Sequence, residues 1–83
     1  MTAEQMFKKL GYEKVSPRFS DVEYSFSPDR NTIKGIRFYN GQVYTETLKR
    51  GFNDVYYPNG GITMNKGLLK AIKQQMSELR WLD

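Results

Sequence analysis

The chain predicts an α+β fold in two layers. An antiparallel three- to four-stranded sheet carries a short N-terminal helix and a long C-terminal helix on one face, in the order α-β-β-β-(β)-α. Three observations support that reading. Apolar residues recur at helical spacing at both ends, as Ala3, Met6, Phe7 and Leu10 and again as Leu68, Leu69, Ile72, Met76 and Leu79. Between the ends the period changes to two, with Val22, Tyr24 and Phe26 alternating with Glu23, Ser25 and Ser27. Asn40-Gly41 follows, the strongest short hairpin signal, because a type I′ turn needs positive φ at both central residues. With 83 residues the chain makes one domain, 1–83, and has no room for a second core.

Thr2 opens the first helix as N-cap, and Gln5 completes a capping-box pattern. Gly11 stands where a left-handed residue ends a helix, so residues 2–10 are expected to be helical. Lys8 and Lys9 fall in the last turn, against the negative end of the helix dipole. Tyr12 to Ser20 reads as a connection broken by Ser16-Pro17, and Ser27-Pro28-Asp29-Arg30-Asn31 as a turn.

Thr32 to Tyr39 is the next strand. A two-residue loop at Asn40-Gly41 opposes Tyr39 to Gln42, Phe38 to Val43, Arg37 to Tyr44 and Ile36 to Thr45. Ile36, Phe38, Val43 and Thr45 then share the core face, while Arg37, Tyr39 and Tyr44 share the other. Ile33 falls on that second face unless an extra residue intervenes, so a bulge at Gly35 is expected. Lys49 to Asn53 reads as loop, and Asp54 to Tyr57 as a short fourth strand stopped by Pro58-Asn59-Gly60-Gly61. Ile62 and Thr63 lead into the long helix. It closes on Trp81, whose ring is expected to cap the helix–sheet interface.

Composition narrows function. Cysteine and histidine are both absent, which removes disulfides, thiolate and imidazole catalysis and most zinc and iron sites. Asp54 and Glu46 have no spacing that marks a carboxylate pair, and so small a chain offers little room for a substrate cleft. The expectation is a protein that is not an enzyme, with no cofactor, no metal and no small-molecule substrate. Neither a membrane-spanning run nor a signal pattern is present, which points to a cytoplasmic protein with no membrane partner. A net charge of +4 is compatible with nucleic acid without requiring it.

Two candidate surfaces follow. Arg37, Tyr39 and Tyr44 on the open sheet face, with Phe52, Tyr56 and Tyr57 in an aromatic loop, are residue types enriched where proteins bind proteins. Such a face can equally be a cross-strand cluster that covers the back of the sheet. Lys66, Lys70 and Lys73 form a basic stripe on the long helix, which with Lys49 and Arg50 is the candidate nucleic-acid surface. The bland reading of the stripe is a solvated face.

Met1–Glu13 at the start, and Ile62-Thr63-Met64, Leu69–Ile72 and Glu78-Leu79-Arg80-Trp81 at the close, resemble the ends of a group of short, uncharacterised phage and prophage proteins of low-GC Gram-positive bacteria. It implies an intracellular phage-encoded accessory protein and imports no activity. Members tend to carry acidic residues after a Thr cap and a glycine before the final Trp, where this chain has Asn65, Lys66, Gly67 and Arg80. The loss of acidic residues weakens the helix start, and Gly67 costs about 1 kcal/mol in a helix interior. The leading expectation is an accessory protein that binds a host or phage protein or associates with itself. The alternative is a nucleic-acid-binding accessory protein using the basic helix face, and a further one is a phage structural or assembly component.

Overall fold

The computed structural model describes residues 1–17 and 19–82; Arg18, within the expected connection, lies outside them. Helix α1 spans Ala3–Lys9, strands β1 to β5 span Glu13–Val15, Val22–Asp29, Thr32–Tyr39, Gln42–Arg50 and Tyr56–Pro58, and helix α2 spans Lys66–Glu78. The strands form one antiparallel sheet in sequence order, β1-β2-β3-β4-β5. Both helices pack on one face, which is the two-layer α+β arrangement the sequence predicts.

The hairpin register is as expected, Tyr39 opposite Gln42 and Ile36 opposite Thr45, around Asn40 and Gly41 with φ of 52° and 78°. That register continues unbroken to Thr32 opposite Lys49, so Gly35 is not a bulge. Ile33 lies on the open face opposite Leu48, where both are half-buried, and a cross-strand apolar partner is compensation enough. The irregularity sits instead in β2, between Phe26 and Asp29, where Pro28 cannot donate to the ladder.

Within the sheet, four features differ from the sequence expectation. Strand β2 runs on to Asp29, which narrows the turn to Arg30-Asn31. There the Asn31 N–H, and after it the Thr32 hydroxyl, hold the Asp29 carboxyl below its usual range. Strand β4 reaches Arg50, because the Arg50 N–H finds the Asn31 carbonyl at 2.8 Å, so Lys49 and Arg50 are strand residues. The fourth-strand segment is displaced to Tyr56–Pro58, behind a tight turn at Phe52–Asp54 in which Asn53 and Asp54 both take φ of 60°. Within the expected connection, Glu13–Val15 adds a fifth strand on the outer edge of β2.

The core is a chain of rings. Phe7 stacks on Tyr24 with centroids 4.0 Å apart, Tyr12 meets Phe7 and Phe26, and Phe38 meets Phe7, Tyr24 and Trp81. Trp81 thus covers the helix–sheet seam as expected. The two helices deliver Tyr12 and Trp81 to this chain by one device. In α1, Gly11 and Tyr12 donate back to Lys8 and Phe7; in α2, Arg80 and Trp81 donate back to Ser77 and Met76. Each is a Schellman stop, with Gly11 at φ 95° and Arg80 at φ 62° in the left-handed position.

The helices run antiparallel, and a contact at each end fixes them. The Glu78 carboxylate of α2 accepts the Ala3 N–H at 2.7 Å, capping the first turn of α1. At the other end a Cβ on Gly67 would lie 3.2 Å from Leu10 Cδ2, so the glycine there permits close helix approach. Helix α2 starts later than the Thr63 region. Asn65 is its cap, with the side chain accepting the Leu68 N–H at 2.9 Å.

Candidate interaction surfaces

The open sheet face is built by alternation alone. From Ile36 and Phe38, which point to the helices, every second residue of β3 and β4 points away. Arg37, Tyr39 and Tyr44 therefore meet, and Phe19 and Ser20 join them to enclose a shallow hollow of about 170 Å³. Phe19 is 85 % exposed at its rim. Arg37 faces Glu23 directly on β2 and lies 3.9 Å from the Glu46 carboxylate, while Ser20 Oγ bonds Glu23 at 3.4 Å. Tyr44 donates its hydroxyl to Gln42. Glu46 lies across Gly35, where a Cβ would sit 3.4 Å from its Oε1, so the bare strand gives the carboxylate room to reach toward the arginine.

The aromatic loop does not join this cluster. Tyr56 stands opposite Arg50, six residues along β4 from Tyr44, which is about 20 Å at strand rise. Its hydroxyl bonds the Arg30 carbonyl at 3.3 Å. Tyr57 pairs with Lys49 and so points to the helix side, its ring filling the space beside Gly51. Phe52 is 91 % exposed at the start of the Phe52–Asp54 turn. Thus Arg37, Tyr39 and Tyr44 form one surface, while Phe52, Tyr56 and Tyr57 occupy the distal end of the sheet.

The basic residues divide in the same way. Arg50 is held by Asp54, with Nε at 2.9 Å and Nη2 at 2.5 Å from Oδ1, and Lys49 donates to Thr32 Oγ1 at 2.8 Å. Asp54 and Glu46 therefore each engage an arginine and do not form a carboxylate pair. Lys66, Lys70 and Lys73 project from α2 opposite its buried Leu68, Ala71 and Gln75 and are exposed.

No family model, curated protein or solved structure matches this chain. Its surfaces are read from their own chemistry. Among the described residues no three acidic side chains gather as a metal site, and no buried side-chain polar atom lacks a partner. A buried polar contact joins the layers, Tyr24 to Gln75, hydroxyl to Oε1 at 2.5 Å. Burial, and after it the charges of Glu4 and Glu78, push the Tyr24 phenol up to about 12, so it is a protonated structural donor. No helix is long and apolar enough to cross a membrane among the described residues.

Sequence reasoning missed Phe19 and Ser20, which lie in irregular chain with no period to place them. It also left Lys14 and Lys34 unassigned. The signal for Lys34 was present in the hairpin register, which sets it two residues before Ile36 on the same face.

Proposed function

We propose that this chain is a small non-enzymatic accessory protein, of the phage or prophage kind its ends resemble, that binds another protein in the cytoplasm of its bacterial host. The observation that carries the reading is the uncovered sheet face, where Phe19, Tyr39 and Tyr44 ring Arg37 without a helix over them. Rings held on a sheet lose little entropy on binding, and Tyr and Arg are among the residue types enriched at the hot spots of protein interfaces. Half-buried Ile33 and Leu48 extend the apolar part of the face.

Charge favours a different protein over a second copy. Glu23 and Glu46 share this face with Arg37, so two such faces would bring like charges together. The expected partner presents a basic or aromatic surface.

The test is affinity capture from host lysate with the wild-type chain and with Arg37→Ser, Tyr39→Ser and Tyr44→Ser combined. The partner is expected to be lost from the triple variant. An unchanged set of captured proteins rejects this face as the binding surface. Concentration-dependent size in light scattering would redirect the reading to self-association.

A further inference from the structure

We propose that the opposite face, the helix layer, binds the phosphate backbone of duplex nucleic acid without reading its sequence. The fold sorts charge by face far more sharply than a net +4 suggests. Lys14 pairs with core-facing Tyr24, and Lys34 with Phe26 and Thr47, so both point to the helix side. Glu23 and Glu46 point away from it, and Glu13, on the edge strand, borders a hollow with Glu4, Lys8 and Lys14.

The antiparallel helix pair then concentrates lysines at one end. Leu10 against Gly67 sets the last turn of α1, with Lys8 and Lys9, beside the first turn of α2, with Lys66. Lys70 and Lys73 continue the stripe along α2. Lys34 lines the hollow just ahead of α2 with Thr63 and Asn65. Of the two helical carboxylates, Glu78 is engaged at the far end on the Ala3 N–H, and Glu4 lies one turn before Lys8.

Among the described residues only two ion pairs form within 4.0 Å, Arg37–Glu46 and Arg50–Asp54. No lysine is in either. A field of unneutralised lysines on a rigid surface gains affinity by releasing counterions from a polyanion. Helix α2, 13 residues or roughly 20 Å long, spans on the order of a dozen duplex charges at one per ~1.7 Å.

Two features select duplex over single strand. Non-specific single-strand binding relies on aromatic platforms, and of the exposed rings, Phe19, Tyr39 and Tyr44 lie on the other face, while Phe52 and Tyr57 sit at the distal end of the sheet, off the helix pair. The solvent side of the helices offers Gln5, Leu69, Gln74 and Ser77 between the lysines, with no ring to stack a base.

The measurement is fluorescence anisotropy with a labelled mixed-sequence DNA duplex over a salt series, with unlabelled phosphatidylserine vesicles as competitor. Binding should appear at about 50 mM salt, and log affinity should fall linearly with log salt with a slope of roughly −4 to −5. Lys66→Gln, Lys70→Gln and Lys73→Gln combined should make that slope shallower by about 3, with unchanged circular dichroism. The triple open-face variant should bind duplex as the wild type does, so failure here is distinguishable from failure of the protein-binding reading. The proposal is overturned by no binding at low salt or by a slope unchanged in the lysine variant. Tighter binding to a thymidine single strand or to vesicles than to duplex overturns it as well.

Discussion

Arg80 offers a test of how the two helices end. It occupies the left-handed position of a Schellman stop at φ 62°, the place that Gly11 fills in α1. A residue with a Cβ pays roughly 1–2 kcal/mol there. Arg80→Gly removes that cost and adds back about 0.4–1 kcal/mol of unfolded-chain entropy. The net gain is on the order of 0.5–1 kcal/mol, or a rise in Tm of roughly 3–6 °C for a domain of this size. Gly11→Ala is the mirror experiment. It places a Cβ at positive φ and only 3.0 Å from Phe26 Cε1, so it should lose at least ~1 kcal/mol. The assay is urea unfolding followed in parallel by far-UV circular dichroism and by the fluorescence of Trp81, the sole tryptophan, which sits directly after the substituted residue. An Arg80→Gly variant no more stable than wild type would refute the reasoning. It would mean that the last turn frays and leaves Arg80 free of the left-handed conformation.

Two further predictions concern the contacts between layers. In the folded protein the Tyr24 phenol, pushed up to about 12, stays protonated, while its unfolded counterpart ionises near 10. This contribution to stability is therefore complete below pH 10 and is lost between pH 10 and 12. Tyr24→Phe should cost about 1–2 kcal/mol at neutral pH by leaving Gln75 without its donor. The same variant should flatten the alkaline decline, and pH-dependent thermal melts of the two proteins would show both effects. Glu78→Gln weakens the charged cap on α1 and should lower stability by about 0.5–1 kcal/mol at low salt. Added salt should shrink that difference, which thermal melts at two ionic strengths would measure.

What was legible in the sequence was whatever is settled within a few residues. The Asn40-Gly41 turn and a period of two were enough to place Arg37, Tyr39 and Tyr44 together, and the Thr2–Gln5 capping box forms as its pattern says. The errors arise where distant chain decides. Ile33 suggested a bulge because an apolar residue on an open face looked wrong, yet Leu48 shelters it and protein surfaces are more than half apolar. Strand β1 has three residues and exists because β2 offers it an edge, which no local pattern announces. Helix α2 begins only at Asn65, whose side chain accepts the Leu68 N–H, and not in the Thr63 region. The hollow beside Arg37 needed Phe19 from an irregular segment. The lysine field needed the relative direction of two helices far apart in sequence.

The two faces can act independently, and the reason is distance. The lysine stripe on α2 points away from the sheet, so a helix about 10 Å across and the sheet itself separate it from Glu23 and Glu46. That exceeds the ~8 Å Debye length at physiological ionic strength. The open-face carboxylates therefore do little to weaken the lysine field in solution, although they cancel much of it in the net charge of the chain. A partner on one face should leave affinity at the other nearly unchanged, because the faces share no residue and the closely packed Phe7, Tyr24 and Phe38 rings lie between them. If both proposed surfaces are used, such a molecule would join two partners of opposite charge and not relay a signal between them.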